Sequence, residues 1–138
     1  MGQYGDAAVK AVCLLEKDSK LNPEGAWKNA MKEVSDSESS INKGCPKTTF
    51  LSLCQEGFIK NVHCNEKKYT YSNSNYRYTL NAVKMLLADE KYLENRPELW
   101  QLATAPDIIF NNGQMDVLIT LWEEEKIDRQ AAKRFFKK

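Results

Sequence analysis

The chain has 138 residues, 42% apolar and 28% charged: enough for one folded domain, and too balanced for disorder or a coiled coil. A formal net charge of +1 is too small to coat nucleic acid or an anionic membrane, so an electrostatic partner has to be met by a local patch. The longest apolar runs, such as AVCLL at residues 11–15, fall far short of the roughly 20 residues that cross a bilayer, so no membrane partner is expected.

The opening MGQYGD has neither a basic start nor an apolar stretch, and Asp6 stands where a myristoylation signal wants a hydroxyl. A cytoplasmic location is the expectation. Cys13, Cys45, Cys54 and Cys64 are then free thiols, although an even count also suits disulfides.

Helical spacing dominates the chain. Ala8, Val9, Val12 and Leu15 recur at three and four, which predicts a helix over 4–16. After a break at 18–21, Asn22 offers an N-cap, Pro23 the first helical position and Glu24 an acid in the first turn, with Trp27, Ala30, Met31 and Val34 on one side. SDSESSINKG reads as a polar connector, after which Pro46 opens a third helix and Gly57 closes it.

The same grammar then returns. AVK at 8–10 reappears at 82–84, PEGAW at 23–27 returns as PELW at 97–100 with one residue deleted, and FLSLCQEGFI at 50–59 matches LITLWEEEKI at 118–127. Three collinear matches predict an all-α fold of two tandem, related three-helix units within one domain, 1–138. The first repeat spans 4–62, a connector 63–75, and the second repeat 76–138 with a final amphipathic, basic-rimmed helix in DRQAAKRFFKK. FIKNV and YTYS, on either side of HCNEKK, are rich in β-branched and aromatic residues and suit a short hairpin, the wing of a winged helix.

A zinc site would draw on Cys45, Cys54, His63 and Cys64, but no close C-x₂₋₄-C pair exists. On a helix, Cys45 and Cys54 lie about 13 Å apart along the axis, so Cys54 reads as a buried small hydrophobe beside Phe50, Leu51 and Leu53. His63 is the only histidine. It adjoins Cys64, and neighbours on an extended segment point to opposite sides, which disfavours a thiol–imidazole couple. No glycine-rich phosphate loop, zinc-protease motif or nucleophile elbow is present, and three adjacent glutamates in WEEEK fan over too wide an arc to aim at one substrate. A non-enzymatic recognition protein follows, with no cofactor and no small-molecule substrate implied.

Two partner classes fit, nucleic acid ahead of protein. A helical wheel over 46–56 sets Thr48, Thr49, Ser52 and Gln55 opposite the apolar side, where such groups read base edges. Lys43 and Lys47 sit near that helix's start, and Lys60, Lys67 and Lys68 on the wing, all placed to meet phosphate in a nucleic-acid complex. In the second repeat Thr120, Glu123, Glu124 and Asp116 would repel phosphate, an asymmetry that equally suits an adaptor or inhibitor with a protein partner. Trp27, Trp100 and Trp122 read as core. Tyr69, Tyr71, Tyr76 and Tyr78 cluster outside the repeats as an exposed contact patch, Tyr69 and Tyr71 foremost. An enzyme with a thiol at Cys45 or Cys64 ranks third.

EGAW at 24–27, GCPKTTFLSLCQEG at 44–57 and GQMDVLITLW at 113–122 together resemble a family of small uncharacterised bacterial proteins, a domain of unknown function. The resemblance implies continuity of fold and a bacterial or phage setting. It transfers no functional residue.

Overall fold

The second helix forms where its local signals are strongest. Asn22 accepts the Gly25 amide at 2.7 Å, Pro23 takes the first position, and α2 runs Pro23–Val34 with Ala26, Trp27, Ala30 and Met31 inward. The computed structural model describes residues 2–64 and 66–137. Around α2 stand α1 (Gln3–Lys17), a one-turn α3 (Glu38–Ile41), α4 (Gly44–Gln55), α5 (Ser74–Ala88), α6 (Arg96–Thr104), α7 (Gln114–Glu123) and α8 (Arg129–Phe136). A short 3₁₀ turn, Glu90–Glu94, links α5 to α6. The described residues are all-helical apart from one isolated bridge.

Two helices lie at the centre. α4 packs on α2, α5 and α7, while α7 packs on α1, α4 and α5; α1 also lies on α2, and α5 on α6 and α8. Neighbours on several sides explain why both central helices are buried round most of their girth, Thr49, Ser52 and Gln55 of α4 included. The wheel over 46–56 sets these polar residues outward; instead, both polar and apolar sides of α4 are covered. Cys54 is fully buried, as expected, and burial pushes its thiol well above the usual range.

α4 and α7 end alike. After α4, Gly57 takes φ +76° and the Gly57 and Phe58 amides donate to Cys54 and Leu53 carbonyls at 3.1 and 3.0 Å. After α7, Glu125 takes φ +60° and the Glu125 and Lys126 amides donate to Trp122 and Leu121 at 3.2 and 2.9 Å. Both are Schellman turns, one with the expected glycine and one with a glutamate bearing the cost of the left-handed region. The segments that follow the two helices then meet: Lys60 N–H donates to Lys126 O at 2.9 Å, Asp128 N–H donates to Phe58 O at 2.7 Å, and Ile59 faces Ile127 across an antiparallel bridge.

That bridge displaces the expected wing. Among the described residues FIKNV and YTYS form no strand pair, because Ile59 is taken by a residue far along the chain and Phe58, Ile59 and Val62 turn into the core. Asn65, within the connector, lies outside the described residues. Beyond it, the Lys68 and Tyr69 amides both donate to Gln55 Oε1 at 2.8 Å, which lays the connector along α4.

The start of α1 is finished from afar. Gly2, its N-cap, has no side chain to satisfy the first amides. Asp116 of α7 accepts from Gly2 N–H at 3.1 Å and Gly5 N–H at 2.7 Å, so a carboxylate sits at the positive end of the helix. Gly5 makes this approach possible: a Cβ there would collide with the Thr120 hydroxyl and come within 2.8 Å of Asp116 Oδ1. Asp116, expected on an open phosphate-repelling face, is therefore an internal cap.

Candidate recognition surface

Most polar residues assigned to nucleic acid are occupied within the molecule. Ser52 is fully buried and Gln55 nearly so; Gln55 spends both ends of its amide, accepting from the connector and donating to Tyr69 O and Glu56 Oε2, each at 2.9 Å. Thr48 is half-buried. Lys47 and Lys68 reach the same carboxylate, Glu24, at 2.9 and 3.8 Å, and the hydrogen-bonded Lys47, aided by Lys68, holds it below the usual range. Lys67 pairs with Glu56 at 3.0 Å, and Lys43 lies 5.6 Å above the Tyr4 ring. Lys60 alone of the five is exposed with no such partner among the described residues.

The tyrosines divide. Tyr71 is 54% exposed and Tyr69 half-buried. Tyr76 and Tyr78, expected on the same open patch, lie in the core because they occupy the inward face of α5. Tyr76 donates to Glu56 at 2.6 Å. Burial and that hydrogen bond to a carboxylate raise the Tyr76 phenol above its usual range. For Glu56, burial pushes the carboxyl up, but donors on Tyr76, Gln55 and Lys67 outweigh it and leave the carboxyl below its usual value.

A cleft of about 310 Å³ opens beside this connector, with Leu51 and Gln55 among its lining and Lys20, Glu24, His63, Glu66 and Lys68 around it. Its charges are of both signs. Cys64, also in the lining, donates to the Glu66 carbonyl at 3.6 Å.

A different surface stands out. Every residue from 105 to 112, between α6 and α7, is exposed, with Ile108 at 99% and Phe110 at 89%. Large apolar side chains so open to water are costly unless something covers them. The backbone beneath is nonetheless held. Trp100 Nε1–H donates to Ile109 O at 2.6 Å, Tyr78 O–H donates to Asp107 Oδ2 at 2.8 Å, and the Asp107 amide donates to Thr104 O at 2.9 Å. The bond to Asp107, with burial, raises the Tyr78 phenol. Met115 N–H reaches Asn111 Oδ1 at 3.3 Å, and Gln114, fully inside, reaches Asn75 Oδ1 at 3.0 Å. A loop tied down through its backbone thus presents two bare apolar groups.

The loop is continuous with the predicted contact patch. Arg77 donates to the Tyr71 carbonyl, its guanidinium lies 5.5 Å over the Tyr78 ring, and Tyr78 holds Asp107. Helical periodicity carries no trace of this surface; its signal in the sequence is three consecutive apolar residues, Ile108 to Phe110, between a proline and Asn-Asn-Gly.

No curated protein and no solved structure matches the chain. A family model does, over residues 1–128, ending at the Asp128 that caps α8. On that match, which spans nearly the whole fold described above, the chain belongs to a family of unknown function, DUF6979.

Proposed function

We propose that this is a non-enzymatic recognition protein that docks on a protein partner through residues 105–112, in the manner of an adaptor or inhibitor. One observation carries the reading: Ile108 and Phe110 are nearly fully exposed on a backbone fixed from below by Trp100 and Tyr78. Aromatic and aliphatic anchors held in place before binding lose little freedom when they dock, which is how a few residues come to dominate an interface. Tyr71 extends the surface along the Arg77–Tyr78 ladder. To test it, a photo-crosslinking phenylalanine replaces Phe110 and the protein is illuminated in cell extract. One dominant heavier band is expected, suppressed by Ile108→Asp and not produced from the exposed Gln130 of α8. Equal smears from both positions, or no band, overturn the reading.

A second reading, nucleic-acid contact, keeps one support. Lys60, Lys133, Arg134 and Lys137 are exposed and make no ion pair among the described residues. Duplex affinity that falls steeply with salt and is lost in Lys133→Glu/Arg134→Glu supports it; no binding at low salt removes it.

We also infer that the domain consists of two related three-helix units, 4–62 and 76–138, joined by 63–75. Several local features support this. Asn22 and Asn95 are N-caps five residues before Trp27 and Trp100, so the apparent deletion is a shift of the proline by one place. Asp18 and Asp89 close α1 and α5 and accept from the Lys20 and Lys91 amides, each at 2.9 Å. By these caps Ala11 and Val12, not Ala8 and Val9, correspond to Ala82 and Val83. The matching Schellman turns and the reciprocal bridge at Ile59 and Ile127 complete the likeness.

A further inference from the structure

We propose that Asn112 is a site of self-catalysed modification: the main-chain nitrogen of Gly113 attacks its side-chain amide, and the residue becomes aspartate or isoaspartate. The inference concerns the chemistry of the loop and holds whether or not the loop docks on a partner.

The reaction needs an unhindered and unengaged N–H on the following residue, and an asparagine side chain at liberty to turn. Asn112 is the single asparagine of the chain followed by glycine, the residue that obstructs the approach least because it has no Cβ. Gly113 N–H donates to no group among the described residues. The amides after Asn42, Asn61 and Asn111 are all engaged: Lys43 N–H with Ser40 O and Val62 N–H with Ile59 O, each at 3.3 Å, and Asn112 N–H with Gln114 Oε1. Asn73 and Asn95 spend their side-chain carbonyls as helix caps, accepting from Tyr76 and Glu98 N–H at 3.0 and 3.2 Å. Asn112 is exposed, and its Nδ2 reaches the Phe110 carbonyl at a long 3.4 Å. Turning that one residue therefore brings Cγ to the Gly113 nitrogen while the glycine stays against Tyr4.

Hydroxide takes the Gly113 amide proton and the nitrogen bonds to Asn112 Cγ. The Cγ–Nδ2 bond then breaks, and the departing nitrogen takes a proton from water and leaves as ammonia. A second water opens the resulting cyclic imide. Opening at Cγ restores the main chain with an aspartate; opening at the main-chain carbonyl carbon leaves Gly113 joined through Cγ, an isoaspartate with an extra methylene in the main chain. Overall water is consumed and ammonia released, with no oxidation or reduction.

The product alters the loop that carries Phe110. A carboxylate replaces the Nδ2 donor, so an acceptor faces the Phe110 carbonyl. The added methylene falls between residue 112, whose N–H Gln114 holds, and Gly113, whose backbone lies against Tyr4. Isoaspartate thus loosens the attachment of the loop to α7.

The test ages wild-type protein in mildly alkaline buffer, folded and in parallel in urea, and follows it by intact mass and peptide mapping. In the folded protein, conversion at Asn112 is expected to lead that at every other asparagine, at a rate comparable with that in urea, and to yield both products. Asn112→Gln, whose longer side chain closes a ring far less readily, is expected to lose the conversion and keep the wild-type melting transition. Aged wild-type protein should exchange its Ile109 and Phe110 amides faster than fresh protein. Conversion confined to urea, led by another asparagine in the folded protein, giving aspartate without isoaspartate, or undiminished in Asn112→Gln overturns the site. Unchanged exchange in aged protein overturns the loosening. A Phe110 crosslink that fails in fresh protein refutes the docking reading alone.

Discussion

Two connectors do the same job with opposite surfaces. Residues 35–43 join α2 to α4 and residues 105–113 join α6 to α7, nine residues each, and each links a tryptophan-bearing helix to a central one. The first winds a turn of helix capped by Ser37, shows serines to water and turns Ile41 partly into the core. The second shows Ile108 and Phe110 to water. Both finish against Tyr4: Lys43 sets its ammonium above the ring, and Gly113 presses its backbone to it. Span and end point are alike, so neither forces apolar exposure. That contrast is what the proposed recognition role of the second connector rests on.

The tryptophans differ in step. Trp100 Nε1–H is bonded to its connector, whereas Trp27 Nε1–H is buried without a partner, its ring stacked on Phe50 at 5.3 Å. The first connector is thus held through Ile41 and Lys43, and the second from underneath by polar bonds that leave its side chains free.

Four measurements probe the contrast. The largest effect is expected at the connectors' ends. Gly113 has φ +97° and a Cβ there would lie 2.6 Å from the Tyr4 ring, while a Cβ at Gly44 meets nothing within 4 Å. Gly113→Ala should cost about 3 kcal/mol in urea unfolding from strain and overpacking; Gly44→Ala should cost little. Equal costs would mean that Tyr4 does not anchor the second connector. Next, Trp100→Phe removes a made hydrogen bond and Trp27→Phe an unmade one. The former should destabilise by about 1 kcal/mol more, and loop amides near Ile109 should exchange faster in that variant alone.

A smaller, pH-dependent effect is expected at Glu56, half-buried at the end of α4. The folded Glu56 carboxyl lies below its usual value. Its contribution is therefore present above the unfolded pKa and lost as pH falls through the folded one. Glu56→Gln should lower stability at neutral pH and flatten the decline on acidification below about pH 4.3. Urea midpoints at neutral and acid pH decide it; parallel profiles for wild type and Glu56→Gln would refute the assignment. The smallest change in stability, within about 0.5 kcal/mol, is expected for Ile108→Ser/Phe110→Ser. A larger loss would show that these side chains support the fold.

What the sequence reveals here is what its neighbours along the chain decide. Asn22 and Pro23 begin α2 as their types require, Gly57 ends α4, and Trp27, Cys54, Trp100 and Trp122 go inside. The misreadings come from distant partners. Ser52 and Gln55 look like an outer face until α5, α7 and the connector cover them. Tyr76 and Tyr78 look like surface until their hydroxyls find Glu56 and Asp107. Ile59 looks like half of a local hairpin until Ile127 arrives. The candidate surface was legible only as an anomaly, an apolar run where a turn belongs.

The carboxylate at the head of α1 bears on synthesis. Gly5 and Asp116 are 111 positions apart, so at translation speeds of about 5–20 residues per second the opening helix waits roughly 6–20 seconds for its counter-anion. Until then its leading amides are satisfied only by water. α1 thus leaves the ribosome well before its capping carboxylate, and nascent chains halted before α7 lack the group that seats it.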